Sequence, residues 1–269
     1  MSDIRFSKVE RVFTRNGTAS AVLKDIDLHI PNQQFVAIVG PSGCGKTTML
    51  RLAAGLDAPT AGRVTVGDTE VDGPGPDRAV VFQQFALFPW KTVAENIGFG
   101  LRCKGMANAE RAERVRHYVE LMSLQGREDA YPHQLSGGMQ QRVAIARSYA
   151  LEPQVLLMDE PFGALDAQTR TVMQEELLRL CAMAPRTVLF ITHAVEEAVY
   201  LADRVVVMSR NAGAIVADID IADTRRAQGW AQHRRIEDVM DLPSFVDFRA
   251  RIWKLLREQD FQTIASAMA

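Results

Sequence analysis

Residues 35–52 read FVAIVGPSGCGKTTMLRL, an apolar run that ends in a glycine-rich turn and continues with helical spacing. No other stretch restricts the fold as tightly. Strand, loop and helix in this order are the context in which the spacing Gly40-x-x-x-x-Gly45-Lys46-Thr47 makes a phosphate-binding loop, because loop amides and helix N-terminus then face one point. Gly40, Gly43 and Gly45 let the backbone turn its N–H groups inward around phosphate oxygens, with Pro41, Ser42 and Cys44 completing the turn. Lys46 can reach the outer phosphates, Thr47 can ligate magnesium, and Thr48 closes the motif.

A loop of this kind needs a sheet to stand on, and further apolar runs supply it: RAVVFQ at 78–83, VLLMDE at 155–160, TVLFITH at 187–193 and RVVVMS at 204–209. Runs of this length without alternation predict strands buried on both faces of a mostly parallel sheet. The interval from about 88 to 150 breaks that rhythm. Its polar helical stretch ANAERAERVRHYVELMSLQG can place Val115, Val119 and Met122 on one face, which predicts a separate helical lobe. After residue 222 the composition shifts to TRRAQGWAQHRR and then DLPSFVDFRARIWKLL, where Phe245, Phe248, Ile252 and Leu255 follow helical spacing. That pattern predicts a C-terminal helix docked on its own domain below a solvated basic stretch. The chain therefore reads as residues 1–222 and a helical extension over 223–269.

Polar side chains end several of the predicted strands. VLLMDE closes on Asp159 and Glu160; neighbours on a strand face opposite ways, so the two carboxylates cannot share one task. Asp159 suits the shell of a magnesium ion and Glu160 the polarising of an attacking water. Gln83 and His193 end two other runs, where ligands of open parallel sheets collect. Either alone would be ordinary hydrogen bonding; beside a phosphate loop they read as a sensor of the terminal phosphate.

Charge and cysteine content remove other classes. With 31 basic residues against 33 acidic, the chain lacks the concentrated positive charge that nucleic-acid binding requires. The first residues, MSDIRFSKVERVF, lack a secretory apolar segment, and no run approaches the roughly 18 apolar residues of a membrane span. Cys44, Cys103 and Cys181 are too scattered for a disulfide framework or metal-ligand spacing.

One motif is left over. LSGGMQQR at 135–142 offers a second glycine-rich turn leading into a helix, and it completes a resemblance. The chain is similar to the ATPase subunits of ATP-binding cassette (ABC) transporters: GPSGCGKTT resembles the Walker A loop, Gln83 the Q-loop glutamine, LSGGMQQR the signature, VLLMDE the Walker B strand, ALD at 164–166 the D-loop and His193 the switch histidine. The resemblance spans about residues 5–215 in the family's order. It implies an α/β fold of P-loop NTPase (RecA-like) type, with a mostly parallel core, an antiparallel β region and an inserted helical subdomain. It implies ATP and magnesium as cofactors, with Thr47, Gln83 and Asp159 around the metal, and Glu160, His193 and Gln83 as catalytic groups.

The same resemblance implies a head-to-tail homodimer. Ser136, Gly137, Gly138 and the D-loop Asp166 would complete the site on the partner's nucleotide, and Phe13 would stack on adenine. Met139 stands where the family often has Gln, and Ala194 where Asp is common; neither removes a phosphate ligand. With no span in this chain, the pore would be a separate integral-membrane permease, with a periplasmic solute-binding protein acting indirectly. The ATPase would sit peripherally at the cytoplasmic face of the inner membrane. VDGPGPDRAVVFQ and QFALFPWKTVAENIGFGL resemble the nitrate, sulfonate and taurine importer branch, whose permease would dock near Phe88, Pro89 and Trp90 unless those aromatics pack between lobes. The alternatives are a soluble ABC-type ATPase and a nucleotide-dependent regulator. The first calls for long heptads or a basic face and the second for loss of Glu160 or His193, and the sequence shows neither.

Overall fold

The computed structural model describes residues 2–15, 18–233 and 235–268. Two sheets carry the molecule. The first is antiparallel, with strands β1 (Ile4–Arg15), β2 (Thr18–Ile30), β4 (Ala61–Val66) and β5 (Thr69–Glu70) in the order β2-β1-β4-β5. The second has six strands in the order β10-β9-β3-β8-β7-β6. These are β3 (Phe35–Val39), β6 (Arg78–Val81), β7 (Val155–Asp159), β8 (Thr187–Ile191), β9 (Arg204–Met208) and β10 (Ile215–Asp220). Neighbours from β9 to β6 pair parallel, and β10 closes one edge antiparallel.

Every residue of β3 and β8 is buried, as continuous apolar runs require when both sheet faces are covered. Alternate residues serve different cores. Val36 and Ile38 join α1 (Lys46–Ala54) and the antiparallel sheet, while Phe35, Ala37 and Val39 face the other helices. Those helices are α2 (Val93–Cys103), α3 (Asn108–Leu121), α4 (Gly137–Ala150), α5 (Ala167–Met183), α6 (Val195–Leu201), α7 (Ala222–Ala227), α8 (Ile236–Met240) and α9 (Pro243–Met268). Val115, Val119 and Met122 are buried together, in accord with the predicted face of α3.

The strands stop sooner than their apolar runs suggest. Gln83 and His193 lie two residues beyond β6 and β8, and Glu160 lies just past β7 with φ at 45°, a left-handed turn. The two carboxylates are thus separated by a backbone reversal rather than by the alternation of a strand. Such a conformation costs a residue with a Cβ about 1–2 kcal/mol and persists only where its surroundings enforce it.

The C-terminal segment departs from the expected solvated basic stretch. Arg225 is largely buried and donates to the carbonyls of Val199, Tyr200, Leu201 and Ala202, the C-terminal end of α6. A helix end leaves carbonyls without intrahelical partners, and a guanidinium with five donors can satisfy several at once. Trp230, Phe245 and Ile252 enter the same core as the sheet, so the extension covers α6 from outside. Among the described residues no helix is long and apolar enough to cross a membrane.

Candidate active site

The phosphate loop bridges β3 and α1. Gly45 caps α1 with φ at 99°, and a Cβ there would stand 2.7 Å from Leu23 Cδ2, so only glycine fits between β2 and the helix. No side chain caps α1 and no acidic residue occupies its first turn. Its unpaired amides are thus left for an anion from outside the chain. Lys46 is 7% exposed, and its Nζ rests on the loop's own carbonyls, 2.7 Å from Gly40 O and 3.0 Å from Pro41 O. An ammonium held at the loop's mouth with an open helix end beside it is a donor set that fits the phosphates of ATP.

Across the loop, Thr47 Oγ1 donates to Asp159 Oδ1 at 3.2 Å. Burial pushes the Asp159 carboxyl above the usual carboxylate range, against the Thr47 hydroxyl and with the Glu160 charge adding to the rise. A carboxylate so placed gains from a cation. Among the described residues no three His, Cys, Asp or Glu side chains form a protein-only metal cage. One hydroxyl and one carboxylate beside a phosphate loop suit magnesium, which keeps several waters and takes phosphate oxygens as ligands.

Three predicted residues meet at one oxygen. Glu160 Oε2 lies 3.1 Å from His193 Nδ1 and 3.5 Å from Gln83 Nε2, the latter a long contact. They arrive from three different strand ends, which is how an open parallel sheet assembles a site. The His193 side chain is 65% exposed, so the cluster lies open on one side.

The second glycine-rich turn lies elsewhere. Ser136 caps α4, its Oγ accepting from Met139 N at 3.3 Å, and the turn is exposed. A Cβ on Gly138 would collide with Thr169 Cγ2, and one on Gly137 would touch Leu165 Cδ2. Ser136–Gly138 therefore abut the segment around Asp166, which caps α5 by accepting from Thr169 N at 3.0 Å. Among the described residues no hydrogen bond joins 135–140 to 40–48. Phe13 is partly exposed under the Arg11 guanidinium at 4.4 Å. It pairs with Ser20 of β2, two residues from Val22, which borders Gly45.

The aromatic segment divides. Phe88 packs at a tilt against Phe99 with ring centroids 4.5 Å apart, whereas Trp90 is 70% exposed. Behind them lies a residue that composition does not single out. Asn96 is fully buried; its Nδ2 donates to the carbonyls of Phe88, Lys91 and Thr92, and its Oδ1 accepts from Phe88 N. Arg147 of α4 fixes the other end of the segment, donating to Ala86 O at 2.8 Å and Phe85 O at 3.1 Å. Only the capping box Thr92–Glu95, legible as T-x-x-E, marks this region in the sequence.

The ABC transporter family pattern matches residues 23–163. An ABC transporter ATP-binding protein of Methanocaldococcus jannaschii is 45% identical over 97% of this chain and 94% of its own length. The nitrate import ATP-binding protein NrtD of Synechocystis is 48% identical, over 96% of each chain. Among solved structures, the ATP-binding cassette MJ0796, a dimer in a post-hydrolysis state with ADP and phosphate, is 32% identical with a TM-score of 0.72, covering 81% of this chain and 98% of that one. With that pattern over 23–163 and relatives 45–48% identical along nearly the whole chain, the protein belongs to the ABC transporter family, as an ATP-binding, ATP-hydrolysing subunit.

Proposed function

We propose that this ATPase works as a homodimer powering import of a small oxyanion-bearing solute, of nitrate, sulfonate or taurine type, through a separate permease. The observation that carries the catalytic part is the meeting of Gln83 and His193 at one oxygen of Glu160. Lys46 and the amides of residues 40–48 bind the phosphates, and Phe13 covers the adenine. Thr47, Gln83 and Asp159 would hold magnesium, which supplies charge neutralisation at the phosphate oxygens. Glu160 orients a water against the terminal phosphate and accepts its proton. His193 holds Glu160 in place and donates to the phosphate. Ser136, Gly137, Gly138 and Asp166 complete the partner's site, a reading supported by the dimeric state of the similar cassette MJ0796.

The relative named for nitrate import supports the importer role, and the exposed Trp90 supports docking of the permease at Phe88–Trp90. Residues 1–222 form the ATPase domain with its helical part at about 88–150, 223–269 the extension. The subunit sits at the cytoplasmic face of the membrane, and a periplasmic binding protein acts through the permease. Glu160→Gln tests the catalytic assignment: the amide preserves shape but takes no proton, so turnover falls about 10²–10⁴-fold while ATP binding persists. Light scattering with ATP and magnesium should then show an accumulated dimer. Turnover equal to the wild type would remove Glu160 from this role.

A further inference from the structure

Outside the phosphate site, one carboxylate among the described residues is both buried and hydrogen-bonded through each of its oxygens. Glu197, on α6, is 6% exposed. Its Oε2 accepts from Thr192 Oγ1 at 2.6 Å, its Oε1 accepts from Gln174 Nε2 at 3.1 Å, and Arg170 Nε stands 3.7 Å away. Burial pushes its carboxyl up while these donors pull it down. A carboxylate is costly to desolvate, and this one sits among donors from two separate elements.

Those partners are not scattered. Thr192 precedes His193, and its hydroxyl oxygen also accepts from Ala194 N at 3.0 Å, so one hydroxyl braces the backbone on both sides of the histidine. Ala194 gives α6 no capping side chain, which makes the Thr192 hydroxyl the only side chain bonded to the backbone of residues 192–195 among the described residues. A carboxylate only accepts, so the Thr192 hydroxyl spends its one proton on Glu197 and keeps its lone pairs for Ala194 N, which fixes the way it points. On the far side, Arg170 donates to Leu165 O at 3.0 Å, the residue before Asp166 and beside Gly137.

We infer that Glu197 is a positioning residue for hydrolysis: through Thr192 it holds the His193 turn, and through Arg170 and Gln174 it ties that turn to the Leu165–Asp166 segment. The inference rests on the reading of His193 given above. The hydrogen-bond partners of Glu197 are Thr192 and Gln174 rather than the phosphate loop; it sets where His193 stands relative to Glu160. Small misplacements of a positioned group cost rate far more than affinity.

Thr192→Val keeps the shape and deletes the hydroxyl. It should lower kcat about tenfold with KM for ATP within about twofold, and Thr192→Ser should restore it. Glu197→Gln should lower single-turnover hydrolysis about tenfold in the wild type and less than about twofold in a His193→Ala background, since coupled sites do not add. The outcomes separate. If His193→Ala hydrolyses normally, the reading of the histidine fails. If His193→Ala is slowed yet Thr192→Val turns over like the wild type, or Glu197→Gln costs the same factor in both backgrounds, Glu197 is structural only and the inference is overturned.

Discussion

Asp159 is a partly buried carboxylate whose bonded neighbour is a single hydroxyl, and this has a consequence for stability. Its folded-state pKa lies above the unfolded value, near about 3.9, because burial disfavours the charged form. The penalty is absent below the unfolded pKa and fully present above the folded one. Asp159→Asn should therefore stabilise the nucleotide-free protein at pH 7.5 by no more than about 1 kcal/mol after solvent screening, read as a higher melting temperature. The gain should shrink at pH 4.5. Magnesium and ATP should stabilise the wild type more than the variant. Melting curves at both pH values check this, and an Asn variant less stable than wild type at pH 7.5 would refute it. At this scale the sequence is legible where function is local. Residues 40–48 declare themselves by spacing, whereas Asn96, Thr192 and Glu197 look like any surface polar residue until the fold buries them. The left-handed turn at Glu160 leaves no trace in VLLMDE, since nothing about a glutamate favours it.

Elements turn these side chains into a device. The segment between β6 and α2 is fastened at 85–86 by Arg147 of α4 and at 88–92 by Asn96, while the Trp90 ring, against Phe88, stays 70% exposed. Trp90→Ala should leave melting temperature and basal ATPase unchanged and weaken co-purification with the permease; equal loss of both would mean that the ring supports the fold. Asn96→Ala, by contrast, removes a fully buried side chain that pairs the backbone of Phe88, Lys91 and Thr92, and should destabilise by about 1–3 kcal/mol. Thermal melts distinguish the two. β3, β6, β7, β8 and β9 are legible from their β-branched runs, and α3 and α9 from their apolar faces, whereas the antiparallel sheet and β10 carry no such run. Strand ends are not legible, because a run can continue past the last pairing residue into a turn that carries the polar groups. Arg225 was misjudged for a related reason: a basic stretch reads as solvated unless a helix end with bare carbonyls is known to wait for it.

At the scale of the whole molecule, the placement of the signature turn away from its own phosphate loop makes a prediction about pairs of chains. Lys46→Ala and Ser136→Arg should each abolish ATP-dependent association, since every site draws on both chains. A mixture concentrates both lesions in one site and leaves the other intact, so association should reappear in the mixture. Differently tagged variants that co-assemble yet bind ATP no better than either alone would refute a shared site. The order of strands has another outcome, felt during synthesis. β3 runs over residues 35–39, but its two neighbours, β8 and β9, are made only at 187–208. A nascent chain thus carries an apolar strand with both edges bare through most of translation, the condition in which chains aggregate or are captured by chaperones. The phosphate loop, attached to that strand, is encoded early and finished late. A premature stop before residue 209 should therefore leave no protein at all rather than a shortened ATPase, even though every phosphate-loop residue has already been made.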